Sequence, residues 1–230
     1  MKLLAIDTAT EGCSATLSLD GETTSVMEVV PRKHAELILP MVETLLADAG
    51  LSLSQLDALA FGRGPGAFTG VRIATGVIQG LAFAADLPVV PVSTLQALAQ
   101  RVANEMQHRA VVTAFDARMN EVYFALWQQD EQGLMQLLGE ERVIAPELLD
   151  LPEAINIAHF VGAGSGWMTY APVLSRRCGF DGNAIYADLI SRAEEVAQLA
   201  LAGFASGQAV SAEQALPVYL RNSVAWKKSG

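Results

Sequence analysis

The fold of this chain is decided by one glycine-rich stretch, which reads Phe61-Gly62-Arg63-Gly64-Pro65-Gly66-Ala67-Phe68-Thr69-Gly70-Val71-Arg72. An apolar run over residues 56–61 precedes it and predicts a buried strand, and a helix is predicted to begin near Gly70. Four glycines within nine residues indicate a backbone that turns where side chains would collide. Backbone amides in such a turn favour either a bound anion or a closely approaching backbone. A strand-to-helix turn with no ligand is the alternative interpretation.

The composition of the 230 residues predicts a soluble globular protein of one domain or two small ones. An apolar fraction of 51% and a charged fraction of 17% are enough to build a substantial core. The net charge of −10 argues against independent binding to nucleic acid, which needs Lys and Arg to displace counterions. If the protein serves RNA, we therefore expect a partner to supply most of the phosphate contacts.

The cysteines and the N-terminus give no sign of an oxidising or membrane environment. Cys13 and Cys178 lie far apart in sequence and form neither a disulfide framework nor a metal motif. Four apolar residues between Lys2 and Asp7 are too few for a signal peptide. No apolar run approaches the ~20 residues that a membrane span needs. The sequence therefore predicts a cytoplasmic protein that does not enter a membrane.

The first 108 residues predict a mixed sheet with three helices. The predicted strands are three antiparallel ones over residues 3–6, 13–19 and 23–30, followed by strands over residues 56–61 and 87–92. The predicted helices cover residues 32–49, residues 70–85 and a segment that Ser93 caps at its start. The order strand-strand-strand-helix-strand-helix indicates an α/β fold.

A second copy of this pattern begins after His108-Arg109. Ala114-Phe115-Asp116 matches Ala5-Ile6-Asp7, and the glycine spacing of residues 161–166 matches that of residues 61–66. We interpret this as an internal duplication, with halves at 1–108 and 109–230. The second half is less regular, with predicted strands over residues 120–129 and 133–144, a short helix over 146–151 and a helix over 191–205 that Ser191 caps.

Two helices of the first half are more apolar than one packing face requires. The apolar residues of the helix over 32–49 cover an arc of roughly 200°, whereas a one-sided surface helix needs roughly 100°. The helix over 70–85 is apolar nearly all round, and its Gly76 and Gly80 allow close approach of another helix. For the helix over 32–49, two interpretations are open. Either one flank packs on the sheet and the other is free for a partner, or the chain itself buries both flanks.

Several motifs in order resemble the TsaB (YeaZ) family, bacterial proteins of tRNA threonylcarbamoyladenosine synthesis. The resemblance rests on the segments over residues 4–10, 71–76, 92–95, 115–118 and 217–222. It implies a duplicated fold of the actin, sugar-kinase and Hsp70 type, in which two ribonuclease H-like halves with mixed sheets enclose a cleft. In such a fold, Asp residues at strand ends hold the metal of a nucleotide in the cleft. The resemblance implies that a vestigial form of this cleft is present here. The candidate residues for that cleft are Asp7, Thr8, Thr10, Gly64, Gly66 and Asp116.

The resemblance further implies a non-catalytic subunit. Proteins similar to TsaB pair with the catalytic paralogue TsaD through helices of the first half and work with the ATPase TsaE. Together they transfer threonylcarbamoyl from its AMP conjugate to the adenine 3′ of the anticodon. On this basis we expect tRNA to bind only through the complex and the chain alone to form a homodimer. We expect that no cofactor is required, although ATP or ADP is possible in the complex. The expected interface residues are Leu37, Met41, Leu45, Val71, Thr75, Ile78 and Leu81.

Two enzyme hypotheses compete with this interpretation. An ATP-binding phosphotransferase or ATPase would use Asp7 and Asp116 as facing carboxylates, although the sequence contains no Walker-type lysine. A metal-dependent peptidase would need the His-x-x-x-His pair that TsaD-like proteins carry after the fifth strand. The matching segment here, Ser93-Thr94-Leu95-Gln96-Ala97-Leu98, has no histidine, and His34, His108 and His159 are dispersed. We therefore predict no metal site and no catalytic residue.

The tail after residue 215 remains open between two interpretations. It contains the aromatic residues Tyr219 and Trp226 beside Arg221, Lys227 and Lys228. Such a segment could dock a partner, or it could be a strap laid over its own domain.

Overall fold

The first half of the chain forms a five-stranded mixed sheet in the order β3-β2-β1-β4-β5. The structure is a computed structural model that describes residues 1–151 and 155–221. Strands β1 to β3 are antiparallel, whereas β4 pairs with β1 and β5 in parallel. The strands are β1 (Lys2–Asp7), β2 (Gly12–Leu19), β3 (Glu22–Val29), β4 (Ala58–Gly62) and β5 (Val89–Val92).

The second half repeats this topology strand by strand. Its sheet has the order β8-β7-β6-β9-β10, so that β6 to β10 occupy the places of β1 to β5. The strands are β6 (Ala110–Arg118), β7 (Glu121–Gln129), β8 (Met135–Ile144), β9 (Val161–Ala163) and β10 (Ile185–Tyr186). The predicted α/β fold with a duplicated unit is therefore confirmed.

Five α-helices flank the sheets in the described part of the chain. They are α1 (His34–Asp48), α2 (Phe68–Ala85), α3 (Thr94–Met106), α4 (Ser165–Cys178) and α5 (Ala193–Ala205). Ser93 caps α3 as predicted, because its Oγ accepts the amide of Gln96 at 3.3 Å. The prediction of a Ser191 cap on α5 is wrong, since Arg192 holds the cap position and the amide of Ala193 donates to Ser14 Oγ at 2.9 Å.

Two other details of the second half differ from the sequence prediction. The predicted short helix over 146–151 is only a single 3-10 turn, Pro146–Leu148. Helix α4 was not predicted, and it contains Pro172 and a non-helical Tyr170 at φ −120°. It follows β9 as α2 follows β4, which gives the second half the same strand-glycine-helix unit as the first.

The alternating residues of β1 explain how helices cover both faces of the first sheet. Leu4 and Ile6 face the layer formed by α1 and α2, whereas Leu3 and Ala5 face α5. Successive side chains of a strand point to opposite faces, so one apolar strand serves both layers. Although α5 lies within 109–230, it packs on the sheet of the first half, while α3 packs on the sheet of the second half through Leu95 and Leu98.

The structure corrects the expectation that α1 and α2 expose the residues chosen as interface. Met41, Leu45, Val71 and Ile78 are buried in the core below the two helices. Thr75 is also buried, and its hydroxyl donates to the Val71 carbonyl at 2.8 Å. Only the remaining two, Leu37 and Leu81, are half-buried. The broad apolar arcs are used mainly to cover the sheet.

Helix α2 is the one described helix that is long and apolar enough to cross a membrane by length and composition alone. A core helix of a soluble protein can pass the same test. A third of α2 is buried, on the side that carries Ala74, Ile78 and Ala82 against the sheet. Its apolar character is thus partly explained by packing, and the exposed part is considered below.

Two glycines of α2 provide a matched test of this packing. A Cβ atom at Gly70 would lie 2.0 Å from the Thr8 carbonyl oxygen, whereas a Cβ atom at Gly76 would meet nothing within 4 Å. We expect Gly70→Ala to lower the free energy of unfolding by about 1–3 kcal/mol, because the helix must move away from β1. Gly76→Ala should instead raise it by up to about 1 kcal/mol through helix propensity. Urea unfolding of both variants measures the difference, and equal effects would contradict the close approach.

Candidate functional site in the cleft between the halves

The glycine stretch packs directly on the turn that follows β1. A Cβ atom at Gly66 would lie 2.3 Å from the Ala9 carbonyl oxygen, so only glycine fits there. The Ala67 amide donates to that same carbonyl at 2.8 Å. The Thr8 hydroxyl donates to the Gly70 carbonyl at 2.7 Å, which holds the start of α2 against the turn. These glycines therefore serve a close contact between two backbones.

Three backbone groups at the start of the stretch bond to other parts of the chain. Gly64 adopts a φ of +93°, a conformation that favours glycine, and its carbonyl accepts the amide of Thr94. The Arg63 amide donates to the Val92 carbonyl at 2.8 Å, and the Arg63 carbonyl accepts the amide of Val218 at 2.9 Å. These bonds hold the start of the stretch to β5, to the start of α3 and to the tail.

The second half has the same glycine spacing and also contains close contacts between glycines and a backbone carbonyl. Gly164 has a φ of +99°, and a Cβ atom there would lie 2.7 Å from the Ala114 carbonyl oxygen. A Cβ atom at Gly166 would lie 2.9 Å from that same oxygen, as Gly66 approaches Ala9. In both halves a glycine of this spacing therefore approaches a backbone carbonyl, which belongs to the turn after β1 in the first half and to the middle of β6 in the second.

Asp7 is buried behind this contact and does not line the cleft. It is 1% exposed, and its Oδ1 accepts the Ala9 amide at 2.9 Å. Its Oδ2 has no hydrogen-bond partner among the described residues. Burial raises the pKa of the Asp7 carboxyl, which favours the protonated form. Asp7 does not line the cavity between the halves, so a metal or phosphate bound in that cavity does not contact its carboxylate.

A cavity of about 770 Å³ separates the two halves. Of the predicted cleft residues, Thr10, Gly66 and Asp116 line it, whereas Asp7, Thr8 and Gly64 do not. The remaining wall includes residues that the sequence prediction did not assign to the cleft, namely Phe68, Arg72, Arg118, Met168, Tyr219 and Arg221. The structure therefore builds a cationic and aromatic cleft in place of one with two facing carboxylates.

Asp116 is directed toward its own turn. Its Oδ1 accepts the Arg118 amide at 2.8 Å, and its Oδ2 lies 3.3 Å from Arg118 Nη1. The Asp116 amide donates to Ser165 Oγ at 3.2 Å, which ties β6 to the start of α4. Within residues 1–151 and 155–221, no group of three or more His, Cys, Asp or Glu side chains could hold a metal ion. The described cleft thus offers no obvious metal ligand set.

The described part of the tail is a strap across the cleft. Tyr219 accepts a hydrogen bond from Arg72 Nε at 2.9 Å in the first half. Arg221 donates to the Ala117 carbonyl at 3.1 Å and pairs with Glu121 at 2.5 Å in the second half. The strap interpretation therefore describes the tail up to Arg221, while Trp226, Lys227 and Lys228 lie outside the described residues.

A second link between the halves carried no recognisable sequence signal. Glu141 of β8 accepts the hydroxyl of Ser93 and lies 3.6 Å from Arg63 Nη2. Its side chain is largely buried. It connects the far sheet to the glycine stretch and to the cap of α3, so the cleft is fixed at both sides.

Comparisons with known proteins agree with this architecture. The family model described as "TsaD: tRNA N6-adenosine threonylcarbamoyltransferase" matches residues 23–226. The tRNA threonylcarbamoyladenosine biosynthesis protein TsaB of Escherichia coli K12 is 45% identical over 99% of this chain and 98% of its own length. The chain belongs to the TsaB family.

Further members support the assignment. The TsaB protein of Haemophilus influenzae is 42% identical over 99% of this chain and 97% of its own length. The structure of YeaZ from Pseudomonas aeruginosa superposes with a TM-score of 0.88 at 50% identity, covering 95% of this chain and 99% of that one. The predicted family and fold are confirmed, and the family is one of tRNA threonylcarbamoyladenosine biosynthesis.

The burial of Asp7 leads to a pH-dependent prediction. Because the folded pKa is raised, the protonated carboxyl contributes stability that is fully present below its unfolded pKa of about 4. That contribution is lost as the pH rises through the folded pKa. We expect Asp7→Asn to be more stable than the wild type at pH 7, with the difference fading near pH 4. Urea unfolding between pH 4 and pH 8 measures it.

Asp130 provides a control of opposite sign. The Leu134 amide, which donates to its carboxylate at 2.9 Å, lowers the pKa of Asp130. The wild type should therefore be more stable than Asp130→Asn near neutral pH, and this difference should shrink in acid. If the wild type instead gained stability over Asp7→Asn as the pH rises, Asp7 would be an ionised, partnered carboxylate and the account of a closed site would fail.

Proposed function

We propose that this protein is a non-catalytic subunit of the assembly that makes tRNA N6-threonylcarbamoyladenosine. It binds and activates a TsaD-like catalytic paralogue, and a TsaE-like ATPase acts with them. The partner then carries out threonylcarbamoyl transfer from threonylcarbamoyl-AMP to the adenine 3′ of the anticodon. The names of the relatives support the pathway, and the outer face of α2 supports the role.

The outer face of α2 is the observation that carries this proposal. Phe83 is 78% exposed, and Gly76 and Gly80 are exposed beside it with open space above both. Ile73 and Val77 border the same side and are half-buried. Exposed apolar surface of this kind marks an interaction site, and the two glycines let a second helix approach closely. This outer face replaces the buried residues expected from the sequence.

The proposed assembly follows from the shape of that face. Side by side on one sheet, α1 and α2 can meet two equivalent helices of a related subunit in a four-helix bundle. The same face can pair with itself around a two-fold axis when the partner is absent, which gives the proposed homodimer. With a net charge of −10, the chain contacts tRNA as part of the complex rather than alone.

The alternative function, an ATPase or phosphotransferase using Asp7 and Asp116, has weaker support. It needs two carboxylates that face one phosphate chain. Asp7 is buried and does not line the cavity, and Asp116 is paired with Arg118. In this proposal the subunit therefore requires no cofactor, and the partner subunits bind any ATP or ADP in the complex.

Phe83 allows a direct test of the proposed interface. We expect Phe83→Glu to weaken binding to the cognate TsaD-like protein by at least ten-fold, because the interface would have to desolvate a charge. Circular dichroism should remain that of the wild type, since Phe83 is exposed and outside the core. The binding is measured by isothermal titration calorimetry, and tRNA modification is followed with the partners present.

Leu148→Glu serves as the matched control. Leu148 is similarly exposed, at 69%, but lies in the second half. The control should bind as the wild type does. If Phe83→Glu binds as tightly as Leu148→Glu, the partner surface is not the outer face of α2 and the proposal loses its support.

A further inference from the structure

The cleft concentrates positive charge in an otherwise acidic chain. Arg72, Arg118 and Arg221 all line it, although the whole sequence has a net charge of −10. The acidic residues on the same wall are Glu11 and Asp116. Fold and partner binding do not by themselves require arginines from three different segments to converge on one cavity.

Two of these arginines keep unused hydrogen-bond donors. Arg221 is committed to Glu121 and the Ala117 carbonyl. Arg72 uses only Nε, which donates to Tyr219, and its two terminal nitrogens make no hydrogen bond to the described residues. Arg118 meets Asp116 through Nη1 and is 84% exposed, so a ligand can compete for it. A guanidinium with free terminal nitrogens is well suited to a phosphate.

Flat apolar surfaces stand beside the free arginines. The Arg72 guanidinium lies 3.5 Å from the centroid of the Phe68 ring, and the Tyr219 ring lies 6.1 Å from that of Phe68. Phe68 is 58% exposed, and Met168 on the α4 side of the cleft is 67% exposed. Aromatic rings next to arginine bind nucleobases by stacking and cation–π contacts.

The geometry also limits the charge of the ligand. A magnesium-bound triphosphate needs loop amides and carboxylates that face the cleft. Here the Ala67 amide is bonded to the Ala9 carbonyl, Asp7 does not line the cavity, and the Asp116 carboxylate is paired with Arg118. Glu11 and Asp116 would repel a highly charged phosphate chain that lacks a metal. A single phosphate on a planar base fits the charge, and a cavity of about 770 Å³ can enclose it.

We propose that the cleft binds a nucleoside monophosphate moiety without a metal ion. Arg72 and Arg118 hold the phosphate, and Phe68 with Tyr219 packs against the base. The moiety is either a free mononucleotide or an unpaired nucleotide of RNA, and the second source rests on the proposed function in tRNA modification.

The test is calorimetric titration of the full chain alone with AMP in the presence of EDTA. We expect saturable binding of AMP with a Kd below about 1 mM. Adenosine, which lacks the phosphate, and ribose 5-phosphate, which lacks the base, should each bind at least about ten-fold more weakly. Binding of ribose 5-phosphate as tight as that of AMP would show an unspecific anion site and would overturn the proposal.

Variants locate the site. Arg118→Gln removes a phosphate donor and Phe68→Leu removes a stacking ring, and each should weaken AMP binding at least about ten-fold. Arg176→Gln changes the net charge equally but lies at the end of α4, outside the cavity lining, and should bind AMP as the wild type does. No binding at about 5 mM AMP, or equal binding by the Arg118 and Arg176 variants, would overturn the site.

Titration with an unstructured RNA of six nucleotides shows whether the ligand is a free mononucleotide or a nucleotide of RNA. RNA binding tighter than that of AMP supports an RNA nucleotide, whereas binding no tighter than that of AMP supports a free mononucleotide. Since the titration uses the chain without partners, failure of this proposal leaves the Phe83 test of the proposed function unaffected. Conversely, failure of the Phe83 test leaves the AMP result standing.

Discussion

Two backbone contacts without room for a methyl group govern this fold. Gly66 lies against the Ala9 carbonyl in the first half, and Gly166 lies against the Ala114 carbonyl in the second. The first contact fixes the turn after β1 next to the start of α2, and the second fixes the middle of β6 next to the start of α4. The first contact thereby sets the position of α2 on the sheet.

Sequence patterns predicted the features that local chemistry determines. The spacing of Gly62, Gly64 and Gly66 recurs a hundred residues later, and Gly66 and Gly166 each approach a backbone carbonyl closely. The cap at Ser93 could be predicted because a serine directly before a helix accepts a hydrogen bond from an amide of the first helical turn. Helix α4 was missed because Pro172 and a non-helical Tyr170 interrupt the periodicity that identifies a helix.

Features that depend on distant neighbours were not predictable in the same way. The apolar arc of α1 is visible in the sequence, but its width does not reveal which part the sheet covers. Met41 and Ile78 were therefore taken for surface, although both lie in the core. The link from Glu141 to Arg63 joins residues far apart in sequence, and any of the 25 acidic residues could have been the partner. The composition of the cleft follows from such links, since Tyr219 and Arg221 reach it only through the strap.

The central claim is that the outer face of α2 binds the partner while the cleft remains open to solvent. Hydroxyl-radical footprinting of Phe83 and Met168 tests it, because both side chains are largely exposed in the chain alone. The chain is studied at a dilution where sedimentation shows a monomer, and then with the cognate TsaD-like protein. The account predicts that the partner slows oxidation of Phe83 and leaves that of Met168 unchanged. Protection of Met168 with no protection of Phe83 would contradict it.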